Sequence, residues 1–430
     1  MREPLRVAIV GLGTVGCGVV DLLRRNAELL AQRTGRPIAI AAVSARDRYK
    51  ARSVAVDQLP WVEDPRALVH DPSIDVVCEL VGGVEGIARE LVTRALQAGK
   101  AVVTANKALL AVHGAELAAL AESRGAALAF EAAVAGGIPI VKALREGLAA
   151  NRVNRVYGIL NGTSNYILTQ MRESGREFAA VLAEAQALGY AEADPSFDVD
   201  GIDAAHKLAL LAALAFGGRP RFDAIHIEGI RHVAPIDIAY ADELGYRIKL
   251  LGVARLTEHG LEQRLHPCMV PKDAPIAQVE GVLNGVVAEC GDAGPMVFEG
   301  RGAGAGPTAS AVVADLIDLA RGNRVPVFGV PADALADPPI APMSAHRGSY
   351  YIRLMVVDRP GVLAEIAAVL RDHEVSIEAL IQRGRNPGQA VPIVLTSHET
   401  SEAAMTAALA RIGRLASVLE TPRMIRIERL

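Results

Sequence analysis

The sequence predicts an α/β protein of three units: a doubly wound parallel sheet, an α+β middle region and a C-terminal βαββαβ unit of ferredoxin-like topology. Three observations support this prediction. A glycine-rich turn joins an apolar strand pattern to a helical pattern at the start of the 430-residue chain. Strand patterns at 38–44, 75–82 and 101–106 then alternate with helical ones, as in open parallel sheets. Residues 350–430 show a strand, helix and strand pattern twice, behind a proline-rich stretch.

Residues 1–130 carry the pattern of a dinucleotide-binding domain. The apolar run "LRVAIV" is typical of a strand buried on both faces, and "GLGTVG" follows it at once. In such a Rossmann-type turn the glycines allow a tight bend and a close approach of the backbone to pyrophosphate, which the amides of the next helix face. An accidental glycine turn is the alternative. The turn predicts an NAD or NADP site at Gly11, Gly13, Thr14, Val15 and Gly16.

The second strand pattern ends in "SARDRYKAR", which bears on the choice of cofactor. An NAD site usually places a carboxylate here for the ribose hydroxyls, whereas an NADP site places a cation for the 2′-phosphate. Arg46 and Lys50, together with Arg48 and Arg52, outnumber Asp47, which favours NADP. A solvated charged loop, or an NAD site that uses Asp47, is the alternative.

Lys107 in "TANK" follows the carboxyl end of another predicted strand. Open α/β sheets bind their ligands at that edge, so this lysine can pair with a substrate carboxylate. A surface lysine on a loop is the alternative.

The pattern changes at about residue 131, and we assign 131–304 to a substrate-binding unit. The glycine-rich turn in "GRGAGAG" then opens a helix near 305–325, which can return to complete the nucleotide-binding domain. Residues 330–349 are rich in proline and small side chains, so they are predicted to form a linker. The βαββαβ unit at 350–430 should therefore be separate and able to fold by itself.

The stretch "GYAEADPSFDVDGIDAAHKLALLAALAF" places many carboxylates before Lys207. A calcium loop is excluded, because Lys207 stands where the bidentate glutamate belongs. An exposed i,i+4 pair of Asp203 with Lys207 would contribute only ~0.2–0.5 kcal/mol. The helix is too apolar for free exposure, however, so Lys207 should reach water through a cleft, where a lowered pKa lets a lysine act as acid or base. Asp203 would hold a polar substrate with it, and Glu192 and Asp198 could receive an ammonium group.

Composition limits the classes of partner. Hydrophobic residues make up 51% and charged residues 22% of the chain, which is typical of globular domains. A net charge of −4 leaves no basic excess for phosphates, so we expect no nucleic-acid partner. No apolar run reaches the ~18 residues of a membrane span, so we expect no membrane contact. Four widely separated cysteines indicate reduced thiols, and with the charged start they predict a soluble cytoplasmic protein.

Six blocks of sequence fall in the order and spacing of one known family. They are "GLGTVG", "TANK", "EAAVAGGIPI", "GILNGTSNYIL", "GYAEADPSFDVDGIDAAHK" and "GRGAGAGPTASAV". The chain resembles homoserine dehydrogenase of the monofunctional type with a C-terminal ACT domain, over essentially its whole length. The resemblance implies reversible NAD(P)-dependent interconversion of L-homoserine and L-aspartate 4-semialdehyde, on the route to threonine and methionine.

The resemblance also implies roles for single residues. Lys207 corresponds to the general acid/base at the C4 oxygen of the substrate. Glu192 and Asp203 correspond to residues that hold homoserine, and Lys107 to a lysine between cofactor and substrate. Further cofactor contacts are implied at Gly189, Gly302 and Gly304.

A monovalent cation, Na⁺ or K⁺, is implied as well. Glu131 resembles its carboxylate ligand, and the carbonyls of Val134, Gly136 and Ile138 complete the site. From chemistry alone, a carboxylate satisfied by backbone amides is the alternative for Glu131. The family builds its dimer interface from the middle of the chain, and ACT modules bind amino acids between paired copies. A homodimer or homotetramer with L-threonine as effector is therefore expected.

Two other functions are compatible with the same folds. An amino-acid or redox sensor would keep the nucleotide sheet and the ACT module but would have no use for Lys207 as a proton shuttle. A dehydrogenase of a related amino-acid semialdehyde would keep the chemistry and change the substrate.

Overall fold

The computed structural model describes residues 3–383 and 388–430. The strands are β1 Leu5–Val10, β2 Ile38–Ser44, β3 Val76–Glu79, β4 Ala101–Thr104, β5 Leu128–Ala129, β6 Val153–Ile159, β7 His226–Ile227, β8 Tyr246–Thr257, β9 Gly260–Pro271, β10 Leu283–Cys290, β11 Gly294–Arg301, β12 Arg347–Val357, β13 Ile377–Gln382, β14 Ala390–Ser397, β15 Thr400–Ser401 and β16 Arg423–Ile427. The helices are α1 Thr14–Arg25, α2 Ala27–Thr34, α3 Ile87–Gln97, α4 Lys107–Ser123, α5 Ile140–Lys142, α6 Gly162–Ser174, α7 Phe178–Ala187, α8 Ser196–Val199, α9 Ile202–Phe216, α10 Pro235–Glu243, α11 Ala305–Arg321, α12 Val362–Asp372 and α13 Glu402–Ile412.

The first sheet is parallel and has the order β2-β1-β3-β4-β5. Helices α3 and α4 pack on one face, and α1 and α11 pack on the other. This confirms the doubly wound sheet, and α11 lies where the sequence places a returning helix. A side chain at Gly18 would put its Cβ 2.6 Å from the Ala305 carbonyl oxygen, so glycine is needed for α1 and α11 to approach this closely.

Strand β3 ends at Glu79, three residues before the end of the predicted pattern at 75–82. The buried Glu79 carboxylate explains the early end, because it accepts the amides of Val81 at 2.8 Å and Gly82 at 2.9 Å. Its other oxygen accepts the Thr104 hydroxyl at 2.7 Å. The carboxyl ends of β3 and β4 are therefore fixed to each other beside the ligand edge of the sheet.

The second sheet is mixed and runs β11-β10-β6-β8-β9-β16-β12-β14-β13. The apolar helix α9 packs on β6 and β8, with Leu208 and Leu211 among its buried side chains. This packing confirms that α9 is not an exposed helix. It also explains why its sequence shows no long polar face.

The C-terminal unit has strand order β16-β12-β14-β13 with α12 and α13 on one face, which confirms the βαββαβ topology. The unit contacts the middle domain, because β16 pairs in parallel with β9 through Arg426 with Cys268 and Ile427 with Met269. The two domains share one continuous sheet. Strands β16 and β7 together cover the edge of β9 that does not face β8, with β7 pairing at Arg264 and Leu265.

The segment 330–349 is also not a free linker. The Leu261 amide donates to the Pro339 carbonyl at 2.8 Å, and the Ala336 amide donates to the Gly217 carbonyl at 2.9 Å. Leu335 and His346 are buried, at 8% and 4% exposed. The proline and small residues therefore form a segment that packs on the middle domain. Its backbone amides and carbonyls can form hydrogen bonds with the ends of neighbouring strands and helices.

Buried ion pairs join the two domains at the shared sheet. Arg426, 2% exposed, donates to Glu228 at 2.9 and 3.0 Å and to Glu402 at 3.0 Å. Arg353 donates to Asp237 at 2.7 Å, from β12 to α10. We call these two clusters the domain seam.

Candidate active site

A cavity of about 650 Å³ lies between the carboxyl edge of the first sheet and the middle domain. It brings together ten of the residues singled out by sequence: Thr14, Val15, Lys107, Gly136, Gly189, Asp198, Asp203, Lys207, Gly302 and Gly304. Residues from five separate parts of the chain meet here, so this cavity is the candidate active site.

Lys207 lies in the wall of the cavity on the otherwise apolar α9. Its ammonium donates to the Leu160 carbonyl and to Asp203 Oδ2, both at 2.7 Å. The side chain is only 10% exposed. Burial lowers the pKa of Lys207, although the Asp203 carboxylate opposes that shift. A lysine whose pKa is lowered gives up its proton more readily, as a general acid/base requires.

Asp203 is the centre of a row of charges. Its Oδ1 lies 3.1 Å from Lys107 Nζ, while its Oδ2 accepts from Lys207 and from Asn161 Nδ2 at 2.7 and 2.8 Å. Burial acts to raise the pKa of Asp203, but the positive charges of Lys207 and Lys107 outweigh it and hold this pKa well below the usual range. Asp203 therefore stays ionised and fixes both lysines at the cavity.

Asn161 connects this row to Asp198. Its Nδ2 also donates to Asp198 Oδ1 at 2.8 Å, while its Oδ1 accepts the Ser164 amide and caps α6. Burial raises the pKa of Asp198, and the nearby Asp203 charge adds to the effect. The sequence reasoning missed Asn161 as a site residue. The signal was available, since an asparagine between a strand and "GTSN" is a helix-cap pattern at a strand end.

Glu192 does not line the cavity. It is exposed on the loop between α7 and α8, and its backbone carbonyl accepts from Gln186 Nε2 at 2.9 Å. The turn at Gly189, with φ of 75°, instead brings Tyr190 to the wall. The contact of Glu192 with substrate stays a prediction.

The first glycine turn has the geometry that a dinucleotide needs. A Cβ at Gly11 would lie 2.4 Å from the Leu80 carbonyl oxygen, and one at Gly16 would lie 1.9 Å from the Gly11 oxygen. A Cβ at Gly13 would meet no atom within 4 Å, so that face is open to a ligand. Gly13 and Gly304 precede α1 and α11, and neither helix has a side-chain cap. Their free amides fit a pyrophosphate.

In the loop after β2, the carboxylate of Asp47 is hydrogen-bonded within its own turn. Asp47 accepts the amides of Tyr49 at 2.8 Å and Lys50 at 3.2 Å, which fixes a turn. The guanidinium groups of Arg48 and Arg52 each lie 5.6 Å from the centre of the Trp61 ring. Arg46 and the Lys50 side chain are exposed, outside the cavity wall.

Glu131 is buried, at 1% exposed, and is bound to backbone amides. Its Oε1 accepts from Val141 at 2.9 Å and its Oε2 from Lys142 at 2.8 Å. Burial, followed by the charge of Asp315, raises the pKa of Glu131 to about 7. The Glu131 carboxylate therefore binds backbone amides, as in the alternative considered from the sequence. Each of its two oxygens still has a lone pair for a second donor or a cation.

The loop that follows Glu131 has a strained backbone. Ala135 and Gly136 both have φ of 52°, a left-handed conformation that is costly for alanine. A Cβ at Gly136 would lie 2.3 Å from the Gly302 carbonyl oxygen, so this loop packs directly on the second glycine turn. Val134 and Ile138 are buried beside it and do not line the cavity.

Models of three protein families match the chain. The homoserine dehydrogenase NAD-binding domain matches residues 11–131, homoserine dehydrogenase matches 139–317, and the ACT domain matches 350–416. A homoserine dehydrogenase of Pseudomonas aeruginosa is 49% identical over 100% of both chains. The chain belongs to the homoserine dehydrogenase family. It has NAD(P)-dependent homoserine dehydrogenase activity, so the alternatives of a non-catalytic sensor and of another semialdehyde dehydrogenase are wrong.

Solved structures of homoserine dehydrogenases agree with this fold. One from Thiobacillus denitrificans is 49% identical with a TM-score of 0.94, over 99% of this chain and 98% of that one. A hyperthermophilic archaeal homoserine dehydrogenase in complex with NADPH is 27% identical with a TM-score of 0.64, over 74% of this chain and 97% of that one. Among the described residues, no helix is long and apolar enough to cross a membrane.

The cavity also contains residues that the sequence reasoning did not single out. Besides Asn161 they include Thr163, Tyr190, Asn284, Arg301 and Thr308. Arg301 and Thr308 lie in the quoted block "GRGAGAGPTASAV", whereas Asn284 on β10 lies in none of the six blocks. Only the packing of β10 against the glycine turn at Gly302 brings Asn284 to the site.

Proposed function

We propose that Lys207 is the general acid/base of homoserine dehydrogenase activity in this chain, acting on the C4 oxygen of the substrate. The observation that carries the proposal is the buried row Lys207–Asp203–Lys107, with nitrogen–oxygen distances of 2.7 and 3.1 Å at the cavity wall. In the oxidation direction the amine of Lys207 takes the hydroxyl proton. In the reverse direction its ammonium returns that proton.

The other residues position the reactants. The nicotinamide cofactor, when bound, supplies the hydride chemistry. Asp203 and the Leu160 carbonyl fix the direction of the Lys207 amine, and Lys107 places a second positive charge beside the reacting oxygen. Asp198 supplies a carboxylate for the substrate ammonium, and Glu192 can add a second one if its loop turns inward. Replacing Lys207 while Lys107 remains tests the assignment, because it removes the proton carrier and keeps one cation.

We also propose a preference for NADP over NAD, read by Arg46 and Lys50. The support is that Asp47 is held by amides of its own turn while these two cations are exposed at the end of β2. The archaeal relative bound to NADPH is compatible with this preference.

Replacing Arg46 and Lys50 together with alanine is expected to raise the KM for NADP⁺ much more than that for NAD⁺. Both cations would neutralise the 2′-phosphate, which NAD⁺ lacks. The measurement is the ratio of kcat/KM for the two cofactors at constant homoserine. The control is the double variant Arg33→Ala and Arg124→Ala, two exposed cations of the same domain elsewhere. Equal changes for both cofactors in the first variant contradict the proposal.

We propose that a monovalent cation binds at the loop formed by Glu131, Val134, Gly136 and Ile138. The left-handed backbone at Ala135 and Gly136 can turn carbonyl oxygens toward one point, and a bound cation would favour the ionised form of the buried Glu131. A cation here would stabilise the contact of this loop with the turn at Gly302.

Activity is expected to rise with K⁺ or Na⁺ at constant ionic strength, with choline as the replacement cation. Glu131→Gln should abolish that response, since the neutral amide cannot balance the ion's charge. The response is measured as kcat/KM against cation concentration. Activity that is indifferent to both ions over a wide range contradicts the site.

We further propose that the ACT domain binds L-threonine as a feedback effector in a homodimer or homotetramer, assembled through the middle domain. The turn Asp358–Arg359 precedes α12, whose N-cap Gly361 has φ of 94° and no side-chain cap. Arg359 lies 3.7 Å from Glu365 and is 53% exposed, so it is available to a carboxylate.

The location of the protein in the cytoplasm stays a prediction. The buried free cysteines are compatible with it.

Threonine is expected to inhibit the full-length enzyme, and Arg359→Ala should raise the inhibitory concentration without changing kcat. A point variant is preferable to truncation after Ala345, because truncation would also remove β16 from the shared sheet. Sedimentation in the presence and absence of threonine measures the assembly. An enzyme that ignores threonine while remaining oligomeric indicates that the domain only joins subunits.

A further inference from the structure

Asn284 is a buried amide without a partner. It is the second residue of β10 and is 1% exposed. Neither its Oδ1 nor its Nδ2 has a hydrogen-bond partner among the described residues. Such unpaired buried groups are costly and rare, so a donor and an acceptor left together indicate a partner that binds.

The position of Asn284 connects the two halves of the cavity. A Cβ at Gly302 would lie 2.2 Å from the amide carbon of Asn284, and one at Gly162 would lie 3.6 Å from its Oδ1. All three residues line the cavity. The amide therefore lies between the start of α6, beside Asn161 and the row of charges, and the glycine turn before α11.

We propose that Asn284 binds the carboxamide group of the nicotinamide cofactor. A primary amide offers one donor edge and one acceptor, and a carboxamide offers the complementary pair. A carboxylate would satisfy only the Nδ2 and would repel the Oδ1. The inference rests on the proposed function in one respect, that the cofactor occupies this cavity.

A second buried amide shows why Asn284 is different. Gln263 on β9 is 3% exposed and also has an unpaired Oε1. Its Nε2, however, donates to the Arg221 carbonyl at 3.3 Å, and it does not line the large cavity. Gln263 is thus half satisfied within the fold, whereas both amide atoms of Asn284 lack a partner among the described residues and the residue lines the cavity. Gln263→Ala is therefore the matched control.

The experiment compares the natural cofactor with its 3-acetylpyridine analogue, in which a methyl group replaces the amide NH₂. Dissociation constants are measured by nucleotide fluorescence for the wild type, Asn284→Ala and Gln263→Ala. The wild type should bind the natural cofactor ~10-fold more tightly than the analogue, since each hydrogen bond lost at a buried site is worth up to about tenfold. Asn284→Ala should weaken the natural cofactor by ~10-fold and bind both nearly equally. Gln263→Ala should keep the wild-type preference.

Three results overturn the proposal. The first is a preference between the two cofactors that persists in Asn284→Ala. The second is an effect confined to the KM for homoserine, which would assign the amide to the substrate. The third is equal binding of both cofactors by the wild type, a measurement that stands even if no Asn284 variant folds. Turnover of Lys207→Ala tests the proposed function separately, because it can fail or hold while cofactor affinity is unchanged.

Discussion

Lys207→Ala is expected to lower kcat for homoserine oxidation by ~10²–10⁴-fold, the usual contribution of a general acid/base. The physical reason is that Lys207 is the more deeply buried of the two lysines bound to Asp203, with a side chain 10% exposed against 29% for Lys107, and burial lowers its pKa. The measurement is steady-state turnover with NADP⁺ and with NAD⁺, together with the melting temperature. Near-normal turnover in a folded variant contradicts the assignment.

Two further variants separate proton transfer from charge. Lys207→Arg keeps the positive charge but cannot release its proton, so it should be nearly as slow as Lys207→Ala. Lys100→Ala is the matched control, because Lys100 is a partly buried lysine at the opposite, amino edge of β4, bound to the Asp71 and Ile74 carbonyls at 2.7 Å. Its loss should leave turnover near that of the wild type.

The pH dependence of the oxidation rate is an independent test of the role of Lys207. Oxidation needs the neutral amine, so its rate should rise with pH through the pKa of Lys207, which burial places below the usual lysine range. The Asp203 charge opposes this lowering. Asp203→Asn should therefore shift the rising limb to lower pH, and a shift to higher pH contradicts this electrostatic account.

Arg426→Met is expected to remove ~3–5 kcal/mol from the free energy of unfolding, because it leaves the buried Glu402 and the partly buried Glu228 without their cation. Arg426 donates to Glu228 and to Glu402 across the domain seam. The measurement is denaturant unfolding followed by probes in both domains. Arg347→Met is the control, since its pair with Glu399 is 61% and 63% exposed and should contribute ~0–1 kcal/mol.

The loss in Arg426→Met should depend on pH in a defined direction. In the wild type, burial acts to raise the pKa of Glu228, but His226 and Arg426 outweigh it and hold this pKa well below the usual range. The folded pKa is therefore depressed, and this stability is present above the unfolded pKa and lost as the pH falls. Without Arg426 the Glu228 carboxylate should be protonated more easily. The deficit should be largest near neutral pH and smaller at pH ~4, where unfolded glutamates also bind protons. A deficit that grows toward acid contradicts this mechanism.

The candidate site could be predicted in part from local patterns. The turn at Gly11–Gly16 and the lone lysine on an apolar helix are local signals, because a glycine bend and a helical period involve neighbouring residues only. Asn161 is hydrogen-bonded to Asp203, which lies 42 positions away in the sequence. A repeat of apolar and polar residues within one segment cannot predict a contact over that distance. The position of Asn284 at the cavity depends on how closely β10 packs against the turn at Gly302.

The sequence by itself determined the element types, the two glycine turns, the βαββαβ order and the identity of the family. These follow from short-range periodicity and from long motifs. Only the tertiary structure decided that 330–349 packs against the middle domain, that β16 joins β9 in one sheet, and that Glu192 lies outside the cavity wall. The physical reason is that backbone pairing between distant strands and the direction of a loop depend on which edges and faces remain uncovered once the elements pack. That information is not present in any one segment.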